Sequence, residues 1–242
     1  MIPTHFNQRV ASTTQLWNGT DSEENFKKNC AIEENYKKLK DLGWLEPNVL
    51  TYTYNSQGFR DAEFDQQPAG IALGCSHTLG TGVHGQHTWT VQLQNLLGQK
   101  IWNLGVGGAA LDTCHRLLEY WIEHLNVKFV ICAVPGIARY EVFHGNWSNI
   151  LPSMPFKISP PWLVEYQKNY LRYDQNSELN RRKNLQAMQH ICNKYSIPFY
   201  YDLSEDFVDR PWASARDLQH CGADAHAILA NKFFNIIQGN NK

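Results

Sequence analysis

The stretch "GIALGCSHTLGTGV" (residues 70–83) decides the fold. An apolar run reaches Leu73 and meets a glycine at once. The cluster Cys75-Ser76-His77-Thr78 then leads into Gly80 and Gly82. A short apolar run closed by glycine reads as a buried strand. The serine behind it has two readings. It caps the next helix, as serine often does, or it is a nucleophile displayed where small residues let the backbone approach a substrate.

Outward from this strand the chain keeps a rhythm. After "AGIALGC" come a helix over 87–98 closed by Gly98, a strand over 100–108, an amphipathic helix over 111–126 and a third strand over 128–136. The rhythm breaks over 137–177, a stretch crowded with aromatics and prolines. It resumes with a helix over 177–196, a strand over 197–204 and a last helix over 223–238. Strands alternating with helices imply parallel pairing through right-handed crossovers. The expected fold is a three-layer α/β/α sandwich with a central, mostly parallel sheet spanning 67–242, carrying an aromatic-rich insertion at 137–177. Residues 1–66 are expected to form an N-terminal extension packed on that core. Within it, "SEENFKKNCAIEENYKKLKDLG" predicts a helix ending at Gly43, and 51–64 alternates like a short edge strand.

The bulk composition narrows the function classes. The chain has 242 residues, 43% hydrophobic and 19% charged, with a formal net charge of -1. That length suits one large domain. The charge balance gives no footprint for nucleic acid. The start "MIPTHFNQRV" lacks the regions of a signal peptide, and no apolar run approaches the roughly 18 residues that cross a bilayer. A cytoplasmic protein without membrane or nucleic-acid partners is expected. The six cysteines show no C-x-x-C pair, so zinc-ribbon spacing is absent and reduced thiols are expected. His84 and His87 ("HGQH") read as surface polar residues rather than metal ligands.

In open parallel sheets, ligands bind at the carboxyl ends of the strands. Ser76, Gly105 to Gly108, and Pro135 to Arg139 follow the first three strands. Before the last helix, "ARDLQHCGADAHAILA" places Asp217 three residues ahead of His220. A short loop can set both on one side, with Asp217 orienting an imidazole that serves as base to a serine.

These residues resemble the SGNH (GDSL-type) hydrolases. "LGCSHTLGTG" is similar to the first family block, with Ser76 at the nucleophile and Cys75 where aspartate is usual. "NLGVGGAALDT" is similar to the second, with Gly108 at the oxyanion-hole position. "DLQHCGADAHAILA" is similar to the last block, with Asp217, His220 and a further histidine at His226. "YNSQGFRDAEF" is similar to a lead-in before the first strand. The resemblance covers about residues 51–235 and departs at the third block, where "PGIARYE" has no asparagine. It implies a flavodoxin-like SGNH fold and a serine esterase without metal or organic cofactor. In that enzyme the oxyanion would be held by the N–H groups of Ser76 and Gly108. Arg139 is first choice to replace the missing asparagine and Asn146 second. His77 and Asn146 are pocket candidates. The implied substrate is a small-molecule or carbohydrate ester, with short acyl groups on a sugar as the leading form. An acyltransferase and a degenerate glycan- or protein-binding module are the alternatives.

Overall fold

The structure is a computed structural model describing residues 10–46, 50–144, 146–150, 161–203 and 215–239, with backbone alone from 143 to 150. In chain order come β1 (Thr14–Gln15), α1 (Glu23–Cys30), α2 (Glu33–Asp41) and β2 (Tyr52–Thr53). The segment expected as one helix to Gly43 is therefore two. Ala31 ends the first, and Ile32 turns extended at φ −104° and ψ 117°. Charge explains the break: Glu23 and Glu24 open α1, Lys27 and Lys28 close it, and Glu33 and Glu34 open α2. Each set complements its own helix dipole.

The expected edge strand at 51–64 also differs. Only Tyr52 and Thr53 are extended, and they pair antiparallel with β1, outside the main sheet. The chain then turns on Asn55, whose Oδ1 accepts the N–H groups of Gln57 and Phe59 at 3.1 and 2.9 Å. Such an Asx turn competes with strand pairing.

The core follows with β3 (Ala69–Leu73), α3 (Ser76–Leu79), α4 (Trp89–Leu97), β4 (Ile101–Asn103), α5 (Leu111–His124) and β5 (Val127–Val134). The insertion contributes an antiparallel hairpin of β6 (Tyr140–His144) and β7 (Asn146–Ile150), then α6 (Pro161–Tyr166) and a π turn over Gln167–Leu171. Next come α7 (Asp174–Lys194), β8 (Phe199–Leu203) and α8 (Ala223–Ile237). The sheet runs β4-β3-β5-β8, every pair parallel. The second strand thus lies outside the first, and the third and fourth lie on its other side. That is the flavodoxin-like order, whose reversal point falls between β3 and β5.

Both faces of the sheet are covered, which is why its strands read as unbroken apolar runs. On β5, Val130, Cys132 and Val134 enter one core with α5 and α7. Phe129, Ile131 and Ala133 alternate into the other, with α4 and α8. The hairpin is tied to α5 by a buried bidentate pair, Arg116 Nε to Glu141 Oε2 at 3.0 Å and Nη2 to Oε1 at 2.9 Å. All six cysteines are free thiols. Among the described residues, no helix is long and apolar enough to cross a membrane.

Candidate active site

Ser76 is the first residue of α3, not its cap. The cap position is Cys75, whose side chain makes no capping bond and lies in the core. The Ser76 hydroxyl instead faces His220, with Oγ 2.7 Å from Nε2. On the other side of the ring, Nδ1 is 2.6 Å from Asp217 Oδ2. With the proton on Nδ1, the ring donates to Asp217 and accepts from Ser76. The three residues thus form one unbroken hydrogen-bonded line.

Local chemistry sets this line up. Leu218 adopts the left-handed conformation at φ 53°, folding Asp217 back so that its Oδ1 accepts the N–H groups of Gln219 and His220, each at 3.0 Å. Ala215 N–H donates to the His220 carbonyl at 2.9 Å and closes the loop. Gly82 docks the loop on the residues after α3: Arg216 N–H donates to its carbonyl at 2.9 Å. A Cβ on Gly82 would stand 2.6 Å from the Ala215 Cβ, on a backbone already at φ +76°.

Asp217 is 2% exposed. Burial works against its charge, but bonds from His220 and Thr20 and the His220 N–H outweigh it and hold the carboxyl down at about 2. Thr20 comes from the N-terminal segment; its Oγ1 donates to Asp217 Oδ2 at 2.7 Å and lies 3.4 Å from His220 Nδ1. Asn29 on α1 donates to the Asp217 carbonyl at 3.3 Å.

Ser76 and His220 open onto a cleft of about 480 Å³, lined also by Thr20, Tyr54, His77, Gly105 to Gly108 and Arg139. The glycine loop is pressed against α3: a Cβ on Gly105 would meet Leu79 N at 2.4 Å. Asn103, at the end of β4, holds the two together. Its Nδ2 donates to the Thr78 carbonyl at 2.8 Å, and its Oδ1 accepts Gly105 N–H at 2.9 Å. Gly108 has φ 73°, a conformation that favours glycine. The Ser76 N–H, first in its helix, has no carbonyl within that helix to bond.

His77 lies beside the base, ring centroids 5.0 Å apart. Burial, then the nearby His220 and Arg139, push its imidazole down to about 3, so it is neutral at pH 7. His226 sits beneath the site, where its Nδ1 accepts Trp89 N–H at 3.1 Å and so serves the start of α4 from α8. Burial first, then neighbouring charges, push it down to about 3 as well. His84 stacks on Trp44 at 5.4 Å and meets His87 edge-on at 5.7 Å. Arg139 follows β5 and lines the cleft. Asn146 pairs with His144 across the hairpin, and its side chain falls outside the described residues.

Sequence reasoning brought Ser76, Gly108, Arg139, Asp217, His220 and His77 to one sheet end; five of them line this cleft, and Asp217 stands behind His220. It missed Thr20, Tyr54 and Asn103, and it missed the buried network behind the loop. In that network Arg216 Nη2 donates to Asp21 Oδ2 at 2.7 Å, and the Tyr52 hydroxyl donates to the same oxygen at 2.5 Å. Gly82 N–H donates to the Tyr52 hydroxyl at 2.7 Å.

No family model matches the sequence, and no curated protein does. Solved structures similar to the chain include the psychrotrophic esterase EstA from Pseudoalteromonas sp., solved inhibited by monoethylphosphonate. It is 12% identical, over 73% of this chain and 100% of that one, with a TM-score of 0.38. A member of the lipolytic protein G-D-S-L family from Veillonella parvula is 12% identical over 71% and 98%, at 0.36. The lipase/acylhydrolase from Enterococcus faecalis is 14% identical over 72% and 97%, at 0.35.

Proposed function

We propose that this protein is a serine hydrolase of the SGNH kind, cleaving carboxylic esters through an acyl-enzyme on Ser76. The observation that carries this is the continuous line from Ser76 Oγ through His220 to Asp217, at 2.7 and 2.6 Å, opening on a cleft. His220 Nε2 takes the Ser76 proton as Oγ attacks the ester carbonyl. Asp217 holds the Nδ1–H tautomer and stabilises the imidazolium that forms. The oxyanion is met by the Ser76 and Gly108 N–H groups, with Arg139 adding positive charge to the cleft. His220 then gives its proton to the leaving alcohol. Water deacylates Ser76 through the same base. Every proton in this sequence moves between groups of the chain, substrate and water, so the reaction as written uses no metal or organic cofactor.

Within this class the substrate we favour is a short acyl group on a carbohydrate. The feature supporting it is a row of exposed aromatics, Trp162, Tyr166, Tyr170 and Tyr173, of which Tyr166 and Tyr170 stack at 5.2 Å. Such faces suit sugar rings. An acyltransferase would use the same line of residues and differ only in the acceptor; adding a sugar alcohol and finding that it outcompetes water would select it.

The test is hydrolysis of p-nitrophenyl acetate and butyrate by the intact protein, Ser76→Ala and His220→Ala, with an alkyl fluorophosphonate as a trap. Each variant is expected to lose at least about 1,000-fold in kcat/KM, and the trap to add its mass to the peptide bearing Ser76. Equal turnover by intact protein and Ser76→Ala, with no labelled serine, would overturn the proposal and favour a binding module.

A further inference from the structure

We propose that the ester acted on at Ser76 carries a carboxylate or equivalent anion close to its scissile carbonyl, and that Arg139 and Tyr54 receive it. This rests on the hydrolase reading above and names the class of substrate.

The cleft is electrostatically one-sided. Among the described residues that line it there is no aspartate or glutamate, and Arg139 brings a fixed positive charge. Asp217 stands behind His220, its oxygens taken up by four hydrogen bonds. His77 adds no second cation, since its imidazole is held neutral.

The donors are also uncommitted. Arg139 Nη1 is buried and finds no hydrogen-bond partner among the described residues; the Tyr54 hydroxyl, on a residue only 4% exposed, finds none either. Three other buried arginines have partners for their guanidinium groups. Arg60 donates to the carbonyls of Thr51, Leu79, Gly80 and Val83. Arg116 is paired with Glu141 and Arg216 with Asp21. Buried donors left unmade are costly, and native structures keep few of them. Arg139 and Tyr54, which carry these two donors, both line the cleft. Burial pushes the Tyr54 phenol up to about 12, so it stays a donor. A carboxylate accepts from a guanidinium and from a phenol alike, so both lining residues suit it.

An arginine that only held the oxyanion would act on every ester alike. An arginine that reads a substrate anion acts on charged esters in particular, and this difference makes the proposal testable. Binding is measured by calorimetry on the Ser76→Ala protein, which retains ligand without turnover. The probes are monoethyl succinate and its neutral counterpart ethyl butyrate, then 3-acetoxybenzoate and its neutral counterpart phenyl acetate. One anionic probe is expected to bind at least about tenfold tighter than its neutral counterpart. The member that does so places the anion on the acyl or the alcohol side. Adding Arg139→Gln is expected to abolish the preference, and adding Tyr54→Phe to cut it about threefold or more. Equal binding of charged and neutral probes, or a preference that survives Arg139→Gln, would overturn the proposal. Turnover by protein with Ser76 intact separates the two readings. If no ester is cleaved but the anion preference holds, the hydrolase reading fails and the anion site stands. If esters are cleaved and Arg139→Gln slows charged and neutral ones by one common factor, Arg139 serves the oxyanion and the anion site falls.

Discussion

Thr20 Oγ1 donates to Asp217 Oδ2 at 2.7 Å, across 197 residues of chain. The N-terminal segment therefore supplies the last hydrogen bond to the carboxylate that orients His220. Without it, that oxygen keeps only the imidazole, and the carboxylate is less firmly fixed in charge and direction. Thr20→Ala and Thr20→Val are expected to lower kcat for p-nitrophenyl acetate about three- to tenfold, a fraction of what a hydrogen bond to a charged group is worth, because Thr20 acts on the rate only through Asp217. Thr20→Ser restores the donor and should recover most of the rate. A serine variant as slow as the valine variant would mean that the threonine acts through packing alone.

The buried histidines set the response to acid. His77 and His226 are each pushed from an ordinary value of 6.5 down to about 3. Between those values the unfolded chain binds two protons that the native protein refuses, so stability is lost as pH falls from 6.5 toward 3. The slope approaches about 2.7 kcal/mol per pH unit for two protons. Asp217 acts lower: its carboxyl, depressed from 3.8 to about 2, contributes stability that is complete above about pH 4 and lost as pH falls through 2. Its full contribution is about 2 kcal/mol. Urea titrations from pH 3.5 to 8 should show the steep limb, and His226→Gln should reduce its slope by about one proton. A slope unchanged in that variant would refute the assignment.

Much of this site is legible in the sequence because its chemistry is local. Asp217 and His220 lie within one turn, Ser76 directly follows a strand, and the alternation of strands and helices brings both to the same sheet end. The rest depends on contacts that no window of sequence contains. Thr20, Tyr52 and Tyr54 look like any polar or aromatic residues of an irregular segment until the chain folds Thr20 against Asp217, Tyr52 against Asp21 and Gly82, and Tyr54 onto the cleft. Asn103 reads as the end of a strand, and only the approach of α3 shows that it holds the glycine loop. The break at Ile32 was missed because the apolar periodicity runs on across it, whereas the paired charge sets that favour two helices are written on the exposed face.

Close approach of backbone rather than flexibility explains Gly105, and its neighbour gives the control. A Cβ at Gly105 would lie 2.4 Å from Leu79 N and 2.6 Å from Thr78 C, both backbone atoms that cannot swing aside; Gly107 has nothing within 4 Å. Gly105→Ala is expected to cost about 1–3 kcal/mol in stability, as overpacking does. It should also lower kcat, because the loop carrying Gly108 must move away from Ser76. Gly107→Ala should change stability by no more than about 0.5 kcal/mol. Denaturant midpoints and esterase rates on both variants check this, and equal effects would show that the loop tolerates displacement.

The ion pair next to Asp217 makes the extension part of the site. Arg216 and Asp21 are 0% and 1% exposed; the guanidinium also lies 4.1 Å from the centre of the Trp17 ring and donates to the Leu16 carbonyl. Removing one partner leaves the other charged and buried, which typically costs about 3–5 kcal/mol. Asp21→Asn and Arg216→Met are each expected to fall in that range. Because Arg216 precedes Asp217 and its N–H holds Gly82, each should also reduce the rate of the protein that remains folded at low temperature. The double variant Asp21→Leu/Arg216→Met removes both charges and should cost clearly less than the two single effects combined. Additive losses in that cycle would mean that the two residues stabilise the extension independently. The loop bearing Asp217 and His220 would then owe its position to Gly82 and Thr20 rather than to this pair.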